Sequence, residues 1–79
     1  PEVEVDFFDI HLKENSRLLL CSDGLSNMVS DEEIWKIAET SSDLREMGMR
    51  LVSLANENGG KDNIAVVLVQ PDTKEVEVC

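Results

Sequence analysis

The sequence predicts an α+β domain in which two helices cover an antiparallel sheet. Two stretches have the spacing of amphipathic helices, and three have the alternation or the continuous apolar character of strands, in the order β-β-α-α-β. The chain has 79 residues, of which 42% are hydrophobic and 30% are charged. That length fits one small domain, and that composition excludes a disordered or collagen-like chain. We therefore expect residues 1–79 to belong to a single domain.

The first two strands differ in their patterns. In the first, apolar residues occupy odd positions up to Phe7 and even positions from Phe8 onward, which suggests a bulge or a bend in a half-buried strand. Residues 13–16 form a polar connection of hairpin length. The run 18–21 is short, continuous and apolar, which is typical of a strand that is covered on both faces.

Two helices are predicted in the middle of the chain. Ser30 and Glu33 have the spacing of a capping box, so the first helix should run from there to about Thr40. Acidic residues in its first turn suit the positive end of the helix dipole and need no catalytic explanation. Ser41 and Ser42 are predicted to end this helix and to cap a second one. Its apolar residues recur at intervals of three and four, and the Asn-Gly-Gly sequence at 58–60 ends it.

The last predicted strand, residues 64–69, is an unbroken apolar run rich in β-branched side chains. Pro71 ends it, and the tail 71–79 is expected to be an edge strand or disordered. Two strands are thus predicted to be buried on both faces, whereas two helices can cover only one face of a sheet. We therefore expect further polypeptide to lie across the opposite face.

The charge of the chain excludes some partners. Seventeen acidic and seven basic residues give a net charge of −10, so the chain lacks the basic patch that nucleic acids and anionic membranes require. No apolar run approaches the roughly 20 residues of a membrane span, and no signal pattern opens the sequence. Cys21 and Cys79 form no metal-binding spacing or disulfide framework, which fits a reducing compartment. We expect a cytoplasmic location, with no binding to nucleic acid or membrane.

Two aspartates lie at the ends of predicted strands. Asp23 directly follows the strand that ends at Ser22, and Asp62 precedes the strand 64–69. If these strands are antiparallel neighbours, both carboxylates reach the same edge of the sheet, and Gly24 allows the backbone a tight turn there. Converging carboxylates without His or Cys favour Mg²⁺ or Mn²⁺. Asp-Gly and Asp-Asn are also common in ordinary turns, so a plain loop stays open as the alternative.

Two sequence blocks resemble those of a known family. Residues 17–34, RLLLCSDGLSNMVSDEEI, resemble a signature block of the metal-dependent protein phosphatases (PPM, the type 2C serine/threonine family). Residues 59–67, GGKDNIAVV, resemble the C-terminal block of that family. The blocks occur in the family's order with a helical pair between them, and they are most similar to the bacterial branch. The resemblance covers about residues 3–69, which correspond to the C-terminal third of the family's domain.

The resemblance implies a fold, a cofactor and an activity. The fold is a four-layer αββα sandwich with antiparallel sheets, of which this chain is the C-terminal part. Asp23 and Asp62 correspond to ligands of a binuclear Mn²⁺ or Mg²⁺ centre, Asn63 to a hydrogen-bonding group that orients the site, and Gly24 to a residue beside it. The complete enzymes hydrolyse phosphoserine and phosphothreonine in proteins with a metal-activated water.

The sequence also departs from the family. It has no match to the N-terminal acidic blocks, the phosphate-binding arginine or the flap, and His11 does not match the family's catalytic histidine. We therefore expect the chain alone to be inactive, to hold no catalytic residue beyond the metal ligands, and to need the N-terminal half of the domain. An uncovered apolar sheet face would favour self-association. The alternative is a non-catalytic, phosphatase-like acidic interaction module. Cys21 is expected to be a core residue, and Trp35 to be partly exposed or to pack against the missing half.

Overall fold

The computed structural model describes residues 4–60 and 64–79. In that part of the chain, four strands form one antiparallel sheet in the order β1-β2-β3-β4, and three helices connect β2 to β3. The α+β prediction is therefore confirmed, with a short first helix in place of a loop and with the tail as an edge strand. The elements are β1 (Val5–His11), β2 (Ser16–Ser22), α1 (Asp23–Ser26), α2 (Asp31–Thr40), α3 (Leu44–Glu57), β3 (Val66–Gln70) and β4 (Glu75–Val78).

The first strand pairs with β2 without interruption. Its register runs from Val5 opposite Ser22 to His11 opposite Ser16, one residue against one, so the bulge suggested by the sequence is wrong. The shift in apolar parity has a different cause. Phe7 is 58% exposed on one face of the sheet, whereas Ile10 is 1% exposed on the other. Both faces of β1 thus carry apolar side chains, at different places along the strand.

The two long helices begin at side-chain caps. The predicted capping box of α2 is confirmed, since Ser30 Oγ accepts from the Glu33 amide at 3.2 Å and Glu33 Oε1 accepts from the Ser30 amide at 3.1 Å. The cap of α3 is Asp43, not the serines predicted for it. Its carboxylate accepts from the Glu46 amide at 2.8 Å. Ser41 belongs to the end of α2 instead, because its hydroxyl donates to the Ile37 carbonyl at 2.6 Å.

One face of the sheet and the inner faces of the helices enclose the core. Alternate residues of β2 and β3 point into it, and the helices add their apolar stripes at intervals of three and four. Cys21 is 2% exposed, as expected of a core residue. The most deeply buried large side chains are Ile10, Leu19, Leu25, Ile34, Met47, Leu51, Val66 and Leu68.

The opposite face of the sheet has no covering layer in the described part of the chain. Cross-strand partners share a face, and the row formed by Phe7, Leu20, Val67 and Val78 is apolar throughout. Residues on the central strands are half-buried there, whereas those on the edge strands are 58–68% exposed. We call this surface the open face; it comprises Val5, Phe7, Leu18, Leu20, Val67, Val69, Val76 and Val78. This is the face across which the sequence analysis expects further polypeptide, and that expectation stays a prediction.

The capping box offers a test of the helical layer. Ser30→Ala removes the hydroxyl that accepts from the Glu33 amide. The free energy of unfolding, measured by urea denaturation, should fall by about 1 kcal/mol. Ser53→Ala, at an exposed position inside α3, is the matched control and should change the stability by less than about 0.5 kcal/mol. Equal effects of the two substitutions would contradict the assigned cap.

Candidate active site: a carboxylate at the end of the second strand

Asp23 begins α1 immediately after β2 ends at Ser22. Cys21 pairs with Val66, and beyond that pair the Ser22 amide donates to the Ala65 carbonyl while the Ala65 amide donates to Ser22 Oγ, both at 3.0 Å. The start of the segment that leads into β3 therefore lies beside the residue that precedes Asp23. The antiparallel pairing assumed in the sequence prediction is confirmed.

The second predicted ligand and its neighbour lie outside the described residues. Asp62 and Asn63 immediately precede Ile64, the first residue of the described range 64–79. Their convergence with Asp23 stays a prediction that follows from strand order. Two residues separate Asp62 from Ala65, whose backbone contacts Ser22. An extended chain advances only about 3.3 Å per residue, so Asp62 is close to Ser22 along the chain path.

The carboxylate of Asp23 is available to a ligand. Its side chain is half-buried, and it accepts no hydrogen bond and forms no ion pair with any residue between 4 and 60 or between 64 and 79. Its backbone is fixed, however, because the Asp23 amide donates to the Glu4 carbonyl at 3.2 Å and its carbonyl accepts from the Asn27 amide at 2.9 Å. A held backbone with an unengaged carboxylate is the arrangement expected of a metal ligand or a hydrogen-bond acceptor for substrate.

Contacts at the end of α3 hold the loop toward Asp62 against the loop that follows Asp23. Asn58 Nδ2 donates to the Met28 carbonyl at 2.7 Å. At Gly60, a Cβ atom would lie 3.1 Å from Met28 Cγ and 3.0 Å from the Ala55 carbonyl oxygen, so a side chain would separate these segments. Gly59 has φ of 103°, the left-handed conformation predicted for the end of this helix. Both loops therefore approach the same edge of the sheet.

Sequence reasoning missed Asp6 as a neighbour of this site. Asp6 lies opposite Cys21 on β1, and its Oδ2 accepts a hydrogen bond from Ser26 Oγ in α1. Asp6 is one of the acidic residues that alternate with apolar ones in the first strand, a pattern that predicts a side chain in solvent. Only the pairing register shows that Asp6 reaches α1 instead. Asp6 therefore braces the short helix that carries Asp23.

The local environment also alters Cys21. Burial, with a smaller contribution from the Asp6 carboxylate, raises the pKa of the Cys21 thiol from 9.0 to about 11. The thiol is consequently protonated and unreactive at neutral pH, in keeping with a packing role. Cys79, at the exposed end of the chain, is also a free cysteine with a raised pKa.

The donor chemistry fits Mn²⁺ or Mg²⁺, which prefer carboxylate oxygens. Over residues 4–60 and 64–79, no three His, Cys, Asp or Glu side chains come together as a metal cluster. The described part thus contributes Asp23 alone to the predicted pair. Two other sequence observations are settled here: His11 is exposed beside Asp9, 3.2 Å away, and Trp35 is 40% exposed.

Comparison with known proteins identifies the class of this chain. It is 44% identical over 71 residues to the serine/threonine phosphatase Stp of Listeria monocytogenes, a match that covers 90% of this chain and 28% of the relative. It is 41% identical over 76 residues to the protein phosphatase PhpP of Streptococcus pneumoniae, covering 96% of this chain and 31% of the relative. No protein-family model and no solved structure matches the chain.

The relatives are bacterial protein phosphatases by name. A further relative, at 39% identity over 75 residues, is named as a 2C-type protein phosphatase of Streptococcus pyogenes. Over at least 90% of its length the chain is thus similar to bacterial protein phosphatases, one of them named as 2C-type, in agreement with the resemblance of the two sequence blocks. It spans about three tenths of the length of the curated relatives that it matches. None of the helices in the described part is long and apolar enough to cross a membrane.

The raised pKa of Cys21 predicts a pH dependence of stability. Between pH 9 and about 11 the thiol ionises in the unfolded chain but stays protonated in the folded one. The unfolded state then binds fewer protons, so the free energy of unfolding should fall as the pH rises through this window and should be undiminished below it. Urea denaturation at a series of pH values measures this. Cys21→Ala should flatten the decline more than Cys79→Ala does, and an equal effect of both would refute the assignment.

Proposed function

We propose that this chain is the C-terminal part of a metal-dependent protein phosphatase that hydrolyses phosphoserine and phosphothreonine. The observation that carries the proposal is the unengaged Asp23 carboxylate at the edge where β2 meets β3, in a chain 41–44% identical to Stp and PhpP over at least 90% of its length. An interaction module without catalysis is the alternative, and retention of both Asp23 and Asp62 argues against it.

In this proposal Asp23 and Asp62 would hold Mn²⁺ or Mg²⁺ at the edge of the sheet where β2 ends and β3 begins. The ions would supply a water of lowered pKa as nucleophile and neutralise charge on the phosphoryl oxygens. This chain contributes by holding Asp23 in a fixed position. The Asp23 backbone is held by Glu4 and Asn27, and the Ser26–Asp6 hydrogen bond keeps α1 in place. Asn63 would orient an adjacent ligand through a hydrogen bond.

A chimera tests the ligand assignment. Residues 1–79 replace the matching segment of the Listeria relative, and hydrolysis of p-nitrophenyl phosphate is measured with Mn²⁺. We expect an active chimera that loses about 100-fold or more of its activity with Asp23→Ala or Asp62→Ala, because each change removes a charged metal ligand. Asp31→Ala, at an exposed position in the first turn of α2, is the matched control and should retain activity. The 79-residue chain alone should be inactive.

Two results would contradict the proposal. One is an inactive chimera that is folded by circular dichroism, since the chain would then not supply a working part of the site. The other is an active chimera in which Asp23→Ala and Asp62→Ala behave like Asp31→Ala. Mn²⁺ affinity, measured by calorimetry on the same variants, separates loss of metal from loss of catalysis.

The open face further supports a missing portion of the domain. Its edge residues Val5, Phe7, Val76 and Val78 are 58–68% exposed, and half-buried leucines and valines of β2 and β3 lie between them. Covering apolar surface yields about 25 cal/mol per Å², so this face should be occupied. In the complete protein we propose that the part of the domain absent from this sequence packs on it. In the isolated chain we propose that a second copy does so.

Self-association through the open face is testable on the 79-residue chain. Light scattering coupled to size-exclusion chromatography should give a dimer or larger species, and Val76→Glu should shift it to the monomer. Met49→Glu is the matched control: Met49 is 62% exposed, close to the 61% of Val76, but lies on α3 and not on the sheet. A wild-type monomer at high concentration, or equal effects of the two substitutions, would overturn the proposed role of this face.

A further inference from the structure

Arg17 is buried without a carboxylate partner. It is 4% exposed at the start of β2, near the hairpin and at the opposite end of the strand from Asp23. Its Nη1 donates to the Ala38 and Ser41 carbonyl oxygens, both at 3.1 Å, and its Nε donates to Gln70 Oε1 at 3.1 Å. In the described part of the chain it forms no ion pair, and its Nη2 has no acceptor. The atoms that accept hydrogen bonds from Arg17 in this part of the chain are therefore all neutral oxygens.

A cavity of about 530 Å³ adjoins this guanidinium. The β1–β2 hairpin and the C-terminal half of α2 form its walls, and the lining includes Arg17, Asn15 and Trp35. The side-chain oxygen of Asn15, Oδ1, is buried, and no residue in the ranges 4–60 and 64–79 donates a hydrogen bond to it. Trp35 is 40% exposed, so part of its indole ring is accessible to a ligand. The cavity thus offers a cationic donor and an aromatic surface, and an acceptor without a donor is buried in its wall.

The charges of the lining restrict the ligand. Lys13 and Arg17 are positive, whereas Glu14 and Glu39 are negative. One carboxylate can be held by the two free N–H groups of Arg17 Nη2, but a dianion such as phosphate would be repelled by the two glutamates. A rotation of the Asn15 amide would let Oδ1 accept from a ligand N–H. Trp35 would pack against an apolar or aromatic group.

We propose that this cavity binds the C-terminal residue of a peptide, with its carboxylate on Arg17, its amide N–H on Asn15 and its side chain on Trp35. The volume accommodates a ligand of that size, since small-molecule sites commonly measure about 300–1,000 Å³. The cavity lies at the hairpin end of the sheet, away from Asp23. Binding there does not depend on phosphatase activity.

The single tryptophan provides a direct measurement. The chain contains one Trp and no Tyr, so fluorescence excited near 295 nm reports on Trp35 alone. N-acetyl-L-phenylalanine is the probe, because it carries one carboxylate, one amide N–H and one aromatic ring. Titration into the 79-residue chain should change the Trp35 emission with a dissociation constant on the order of 1 mM. N-acetyl-L-phenylalaninamide, which lacks the carboxylate, should bind at least tenfold more weakly.

Three variants on exposed positions test the charges without touching the buried arginine. Glu39→Gln removes a repulsive charge and should tighten binding of the acid about two- to fivefold. Lys13→Gln should weaken it by a similar factor. Glu32→Gln, in the first turn of the same helix as Glu39 and outside the cavity, is the matched control and should leave the affinity unchanged. In nitrogen NMR spectra, the Arg17 side-chain signals should shift with the acid and not with the amide.

Four outcomes would overturn the proposal. The first is equal affinity for N-acetyl-L-phenylalanine and for its amide. The second is the same change in Trp35 emission with inorganic phosphate at about 10 mM. The third is the absence of a saturable change in emission with N-acetyl-L-phenylalanine. Binding of the acid with unshifted Arg17 signals would also refute the assigned contact.

Discussion

The pairing of β2 with β3 is the constraint on which both ends of this structure depend. At one end, Ser22 and Ala65 exchange hydrogen bonds through backbone and side chain, which brings the segment after Asp62 beside Asp23. At the other end, Arg17 Nε donates to Gln70 across the same two strands. Antiparallel pairing is what makes the end of β2 and the beginning of β3 meet. With parallel strands, the two aspartates would lie at opposite edges.

The sheet has two unlike faces, and the difference explains why so short a chain is rich in apolar strands. The helices bury the centre of one face, where Leu19, Val66 and Leu68 are all at 0% exposure. On the other face Phe7 and Val78 remain exposed at 58% and 68%. A chain of this size buries only about 60% of the surface that its unfolded form exposes, so an additional layer would contribute substantially to stability. That requirement agrees with a span of about three tenths of its relatives.

Much of the local structure could be predicted from short-range chemistry. The Ser30–Glu33 box and the left-handed glycine after α3 depend on residues a few positions apart, so their signals were reliable. Predictions failed where a choice depended on distant partners. Ser41 is suited to capping a helix by its type, yet its hydroxyl donates to the Ile37 carbonyl in the last turn of α2. The parity change at Phe7 and Phe8 resembled a bulge because the sequence does not reveal that both faces of β1 are apolar. Asp6 was missed because only the register opposite Cys21 brings it to α1.

By itself the sequence determined the class of fold, because this follows from residue order and periodicity. Its two blocks also gave the resemblance to a phosphatase family, and the places of Asp23 and Asp62 at strand ends made them the candidate ligands. Tertiary structure decided which strands are neighbours, which sheet face lacks a cover, and that Asp23 is unengaged whereas Asp6 is bonded to Ser26. It also decided that Arg17, an ordinary strand residue by sequence, is buried beside a cavity and donates its hydrogen bonds to neutral oxygens. The reason is that hydrogen bonds and burial between residues more than 50 positions apart, such as Arg17 and Gln70, leave no local pattern in the chain.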